Sequence, residues 1–172
     1  MRETIRYAWG TSSLGDFLVA MSDEGVVALE FVIDRLSAEN ALRNRFPDTE
    51  LVDSQTTLAP TLDKVVRAIE QPGFDPGLSL DMRGTPYEIQ VWSMLRALQV
   101  SETTSYGALA AKMGTRDARP VTEAIAGNPI AVLIPCHRVI KKDGSISGYR
   151  WGVKRKRELL ARERDPGKRG PT

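Results

Sequence analysis

The segment "LIPCHRVIKKDG" at 133–144 sets the single cysteine of the chain, Cys136, directly before its single histidine, His137. A thiolate is a strong nucleophile, but a free thiol near pKa ~8.5 is barely ionised at neutral pH and needs a base or a positive field to react. His137 and Arg138 stand next to it and can supply either. Adjacent side chains project in different directions, so a bridging water is the expected link between thiol and imidazole. Glu163, at the end of the last helical pattern, can orient the ring. Pro135 fixes φ and removes a backbone donor just before the thiol, and Asn128-Pro129 marks a turn upstream. Asn128 can hydrogen-bond the loop carrying Cys136, or serve as an ordinary helix C-cap after Gly127. On residue types alone, an inert buried thiol beside a structural imidazole is an equal alternative.

Those residues need a scaffold, and 172 residues with 41% hydrophobic content are enough to build a core as one domain or two small ones. One cysteine excludes an internal disulfide, and with one histidine it cannot supply a clustered zinc site, so no metal or cofactor is expected and the cytoplasm is the natural compartment. "MRETIRYAWG" has no apolar signal core, and no stretch approaches the roughly 20 apolar residues of a membrane span. The net charge of +2 hides an asymmetry. After His137, twelve Lys and Arg residues face only Asp143, Glu158, Glu163 and Asp165, which suits a polyanion partner or a solvated helix face with a frayed basic tail.

Residues 2–33 read as a three-stranded meander, "TIRYAW", "GDFLVAMS" and "GVVALEFV", separated by "GTSSLG" and "SDEG". Ser37 is placed to cap "AENALRNRF", and "LAPTLDKVVRAIEQ" forms a second helix stopped by "PGFDPG". "LSLDM" is a short strand candidate. Beyond "RGTP" the pattern turns helical, with Thr85 as cap and Pro86 at the first position of "PYEIQVWSMLRALQ". "SYGALAAKM", the link "GTRDA" and "RPVTEAIAG" have helix-turn-helix spacing. "NPIAVLIPC" reads as a buried loop or strand, and "GVKRKRELLARE" as a final amphipathic helix. The expected fold is α+β: a small N-terminal meander and helix domain over 1–82, then a mostly helical, winged-helix-like domain over 83–164. Residues 165–172 form a disordered basic tail in this reading.

"IPCHRVI", preceded by "GNP" and followed by "DGSISGYRWGVKRKRELLARE", resembles the active-site region of the O6-alkylguanine-DNA alkyltransferases, the methylated-DNA-protein cysteine methyltransferases. The likeness runs from "RGTPYEIQVW" through "SYGALA" and "ARPV" to Glu163, and "SGYRWGV" is most similar to the bacterial Ada-type branch. The four-cysteine zinc-binding regulatory half of full Ada proteins has no counterpart in this sequence, so methyl-phosphotriester sensing is not implied.

The resemblance implies single-use repair of duplex DNA carrying O6-methylguanine, and O4-methylthymine, by a monomer that moves the methyl to Cys136 after nucleotide flipping. It implies His137 as a water-mediated base, Glu163 as its orienting carboxylate and Asn128 as a loop anchor. Tyr106 becomes the phenol that balances the proton on the extruded base, and Arg119 the finger that fills the vacated stack. Tyr106, Ala118, Arg119 and Thr122 face DNA, with the second helix in the minor groove. Val139, Tyr149, Arg150 and Trp151 wall the pocket, and the Trp151 indole narrows it against benzyl adducts. Pro120 requires the recognition helix to begin near Ala118 or Arg119. Glu123, four residues beyond Arg119, is expected to pair with it. Lys154, Arg155 and Arg157 add general attraction to phosphates. Two other readings fit a folded basic protein: a non-catalytic binder of alkylated bases, which in such relatives lacks the acceptor cysteine, and a Cys-His thiol hydrolase, which requires an acyl substrate.

Overall fold

Period-two alternation on both faces of one sheet organises the N-terminal part. The computed structural model describes residues 2–164 and contains β1 (Glu3–Ser12), β2 (Gly15–Met21), β3 (Val26–Phe31), α1 (Arg35–Arg45), β4 (Thr49–Asp53) and α2 (Ala59–Glu70). α3 (Pro86–Arg96), β5 (Thr104–Ser105), α4 (Tyr106–Lys112), α5 (Arg119–Ala126), β6 (Val139–Ile140) and α6 (Val153–Arg164) follow. The predicted meander is present as antiparallel β1–β2–β3. β4 joins it parallel to β1, giving the order β3-β2-β1-β4. The sequence reading missed β4, whose "TELVD" offers only five residues and one apolar pair.

Ile5, Tyr7, Leu18 and Val27 pack on one face of this sheet with Ala38 and Leu42 of α1. Ala8, Phe17, Val19 and Leu29 on the other face share a core with Val65 and Ile69 of α2 and with Val91, Trp92 and Leu95 of α3. Burying each such side chain contributes about 1.5–3 kcal/mol, so the sheet and the later helices stabilise one another through one continuous apolar cluster. Ser37 does not cap α1. The helix starts three residues earlier, where Asp34 accepts from the Leu36 N–H at 3.2 Å and from the Ser37 hydroxyl at 2.6 Å. "LSLDM" does not form a strand: it touches β3 through the single bridge Val26–Leu80. That approach needs Gly25, because a Cβ there would meet the Ser79 carbonyl oxygen at 2.4 Å and its φ is +152°.

α3 opens with the predicted cap: Thr85 Oγ1 accepts from the Glu88 N–H at 3.1 Å and Glu88 Oε1 accepts from the Thr85 N–H at 2.9 Å. Trp92 on α3 donates its indole N–H to the Ala124 carbonyl of α5 at 2.9 Å, fixing the second helix of the pair α4–α5 against the core. No helix among the described residues is long and apolar enough to cross a membrane. The tail 165–172 lies outside the described residues.

Candidate active site

The loop that carries Cys136 is held by the sheet at one end and by an asparagine at the other. Leu29 on β3 donates its N–H to the Pro129 carbonyl at 3.0 Å and accepts from the Ala131 N–H at 2.8 Å, so "NPIA" runs along the sheet edge. The chain then turns sharply. Val132 has φ of 68°, a strained value for a β-branched residue, and Pro135 at φ −81° and ψ 64° makes an inverse γ-turn in which the Cys136 N–H reaches the Ile134 carbonyl at 2.7 Å. Cys136–Arg138 form one turn of 3-10 helix, and β6 after it pairs with β5, which leads into α4. The thiol is thereby fixed relative to the helix pair.

Asn128 is fully buried and uses its whole amide. Its Oδ1 accepts from the Ile130 N–H at 2.9 Å, and its Nδ2 donates to the Ile134 carbonyl at 2.9 Å and to Cys136 Sγ at 3.1 Å. Burial pushes the Cys136 thiol up to about 11, against the opposing pull of the Asn128 hydrogen bond and the nearby Lys156 and Arg150 charges. The thiol is therefore held in its protonated form in the free protein.

His137 follows on the same short helix and reaches α6. Its Nε2 meets Glu163 Oε2 at 2.6 Å, and Glu163 Oε1 accepts from Arg138 Nε at 2.9 Å and from the Ser101 N–H at 3.3 Å. Burial alone would raise the Glu163 carboxyl, but the hydrogen bonds and charges of His137 and Arg138 outweigh it and hold it down at about 2. Burial lowers His137 below its usual value despite Glu163, which keeps the ring neutral. With Nε2–H donated to the carboxylate, Nδ1 carries the lone pair, and this buried atom has no protein partner.

A cavity of about 570 Å³ opens beside the sulfur, lined by Cys136, Tyr106, Thr122, Ile125, Ala126, Lys141, Ser147, Gly148, Tyr149 and Arg150. Its size falls within the usual range for small-molecule pockets. Of the expected walls, Tyr149 and Arg150 are there, with the Arg150 guanidinium clamped to the Asn128 carbonyl at 2.7 Å and to Glu30 at 2.6 Å. Val139 and Trp151 do not line it. Val139 is spent in the β5–β6 pair, and Trp151 packs in the core with its ring edge-on to Tyr149 at 5.3 Å, so the indole backs the wall instead of narrowing the opening.

On the outer rim, α5 begins at Arg119 with Ala118 before it and Pro120 in the first turn, as the proline requires. Ala118 is half-buried, and Arg119 and Thr122 are exposed. The expected Arg119–Glu123 pair is not formed. Arg119 instead doubles back onto Asp117, with Nε 3.0 Å from Oδ1 and Nη2 2.9 Å from Oδ2, because the same carboxylate already accepts the Arg119 N–H. Arg155 is also committed elsewhere, donating to the Leu14 and Trp151 carbonyls at 2.7 and 2.8 Å, whereas Lys154 and Arg157 are exposed.

Besides Ile125, Ala126, Lys141 and Gly148 of the lining, two polar residues of the site escaped the sequence reading. Ser147 joins Tyr106 across the cavity at 2.5 Å, and nothing in "SISG" marks it. Lys156 was lost among its basic neighbours, yet it is only 1% exposed. Lys156, Leu159, Leu160 and Glu163 follow the i, i+3, i+4, i+7 spacing of a helix's inner face, which is the signal that would have found it.

Residues 86–165 match the family model for the DNA-binding domain of 6-O-methylguanine DNA methyltransferase. Escherichia coli Ada, a bifunctional transcriptional activator and DNA repair enzyme, is 39% identical over 160 residues, covering 92% of this chain and 45% of its own length. The Mycobacterium tuberculosis methylated-DNA-protein-cysteine methyltransferase is 44% identical over 88 residues, 51% of this chain and 53% of its own. The chain thus spans about half the length of the curated relatives it matches. A crystal structure of Mycobacterium tuberculosis OGT in complex with DNA superposes with a TM-score of 0.77 at 30% identity, covering 94% of both chains. The matched sequence reaches through the acceptor loop to α6, and the matched fold takes in the sheet as well; the chain belongs to the 6-O-methylguanine DNA methyltransferase family.

Proposed function

We propose that this protein repairs O6-methylguanine, and O4-methylthymine, in duplex DNA by moving the methyl group irreversibly to Cys136. The observation that carries the reading is the juxtaposition of a buried, asparagine-held thiol, a histidine anchored to a carboxylate, and a cavity beside the sulfur. The target atom lies inside the helix, so the nucleotide must be turned out into that cavity, with Arg119 at the start of α5 filling the gap it leaves. Residues 83–164 carry both the chemistry and the DNA contact, and 1–82 brace the acceptor loop through β3. The cytoplasm suits a thiol that must stay reduced.

The thiol proton passes through a water to the free Nδ1 of His137, and Glu163 stabilises the resulting imidazolium. The Sγ lone pair forms a bond to the methyl carbon as the carbon–oxygen bond breaks, and the departing base takes up negative charge. Tyr106 donates its phenolic proton to that base. A thioether has no hydrolytic exit and no second cysteine exists to accept the methyl, so each chain acts once.

The test is incubation with a duplex carrying a labelled O6-methylguanine. One equivalent of label per chain, mapping to the Cys136 peptide with a mass gain of one CH2, is the expected result. Turnover beyond one equivalent, or no transfer, overturns the reading.

A further inference from the structure

Arg150 is a long, charged side chain in the wall of a cavity, and its 38% exposure would ordinarily leave it free to swing. It is held at both prongs instead. Nη1 donates to the Asn128 carbonyl at 2.7 Å and Nη2 to Glu30 Oε1 at 2.6 Å, while the guanidinium carbon lies 5.2 Å from the centre of the Trp151 ring. Glu30 comes from β3, 120 residues earlier in the chain, and its side chain is only 18% exposed.

These bonds converge on one short segment. Leu29, next to Glu30 on β3, already holds "NPIA" through the Pro129 carbonyl and the Ala131 N–H. Glu30 adds a third hold, through Arg150, at the carbonyl of Asn128. The side-chain amide of that same asparagine lies on Cys136 Sγ at 3.1 Å. α5 ends at Ala126, two residues before Asn128, so a load placed on α5 by DNA runs directly into the residue that holds the sulfur. A partly exposed ion pair adds little to stability, which makes this one a poor explanation of the fold and a good one of local geometry. The fork of a guanidinium is rigid: with both prongs taken its plane is set, and with one prong free it pivots.

Resting on the alkyl-transfer reading above, we propose that Glu30, a residue of the N-terminal sheet, is a positioning residue for the transfer: it fixes Arg150, Arg150 fixes the main chain at Asn128, and Asn128 keeps Sγ in line with the methyl carbon while DNA loads α5. Glu30 does not line the cavity, so its whole contribution passes through the arginine. This role makes three demands. Loss of Glu30 slows the chemical step and leaves DNA binding alone. An uncharged acceptor of the same shape at position 30 retains most of the hold. Loss of the carboxylate is silent once the residue at 150 can no longer bridge both acceptors.

Single-turnover transfer from duplex carrying O6-methylguanine separates these demands from a general loosening. Glu30→Ala should lower the rate at saturating duplex about tenfold or more and leave the half-saturating concentration within about twofold. Its melting temperature should lie no more than about 4 °C below the parent. Glu30→Gln, whose amide oxygen still accepts from Nη2, should stay within about threefold of the parent rate. Arg150→Lys offers one ammonium where the fork spans two acceptors, and in that background Glu30→Ala should slow transfer by no more than about twofold further. A parent-like rate for Glu30→Ala, a rise in half-saturating concentration that accounts for its loss, equal slowing by Glu30→Ala and Glu30→Gln, or the same fold loss in both backgrounds overturns the positioning role. Should Glu30→Ala fail to fold, Glu30→Thr, which suits a strand, takes its place in both backgrounds. Absence of any transfer by the unaltered protein refutes instead the alkyl-transfer reading itself.

Discussion

Behind the sulfur, Asn128, His137, Lys156 and Glu163 are each at most 5% exposed and are held by bonds to several different segments of the chain. In front of it, on α5, the Arg119 side chain is 88% exposed and is held by a single carboxylate two residues away. The first arrangement fixes atoms to within the tolerance that an in-line displacement demands, and a low-dielectric surround strengthens each of its contacts. The second keeps a side chain available to travel. In the proposed repair, chemistry and DNA entry would place opposite demands on rigidity, and the buried and exposed sides of the cavity match those two demands.

Replacing the sulfur tests that separation most severely. Cys136→Ala removes the nucleophile and should abolish transfer altogether, yet no contact on α5 depends on Sγ, so affinity for duplex DNA should stay within about twofold in a binding titration. Joint loss of transfer and binding would mean that the two sides are not independent and that the thiol is part of the scaffold.

Glu163→Gln probes the rigid side with a smaller but double effect. The imidazolium formed on proton transfer loses its carboxylate, which should slow single-turnover transfer by about a hundredfold or more. Arg138, whose Nε faces the same carboxylate and whose Nη1 reaches the Leu98 carbonyl at 2.7 Å, loses its counter-charge, which should lower stability by roughly 3 kcal/mol in denaturant unfolding. The parent should also be acid-sensitive. Glu163 sits near 2 when folded against 4.5 for an unperturbed group, so its stabilisation is complete above about 4.5 and is lost as pH falls toward 2. His137, held below 6.5, works in the same direction, because the unfolded chain takes up a proton below 6.5 that the folded chain resists. A melting temperature that drops steadily from pH 6.5 downward is the expected curve, and Glu163→Gln should flatten its part below 4.5.

The same contrast explains what the amino-acid sequence made legible. Helices with strong local signals were readable: Thr85-Pro86 for α3, Pro120 for the start of α5, and the apolar spacing of α2 and α6. So was the dense motif around Cys136, because "NP" and "IPCH" constrain the thiol through its chain neighbours and Glu163 holds the adjacent His137 through one contact. What stayed hidden depends on long-range pairing. β4 exists because β1 has a free edge, Trp151 turns inward because Tyr149 packs edge-on against it, and Lys156 faces Ser147 only once α6 has docked. A run of four basic residues looks uniform in sequence, but in the structure it contains an exposed Lys154, a sheet-bound Arg155, a buried Lys156 and an exposed Arg157.

The exposed side carries the smallest expected effect. Helix spacing favours Glu123 as the partner of Arg119, yet the folded start of α5 presents Asp117 first. Its Oδ1 accepts both the Arg119 N–H and the Arg119 Nε–H at 3.0 Å, so the side chain is met as it leaves the backbone. The guanidinium in turn draws the Asp117 carboxyl below its usual value. Both groups stand in solvent, where such pairs contribute little and salt screens them. Asp117→Asn should therefore raise DNA affinity only a few-fold, by freeing Arg119 and by removing a negative charge from a surface that meets phosphates, and the gain should shrink as salt rises. Glu123→Gln removes a like charge from the same helix without freeing the arginine, so its gain should be smaller. If Glu123→Gln instead gives the larger gain, the arginine is held along the helix face, and the stowed position against Asp117 is not the one DNA has to displace.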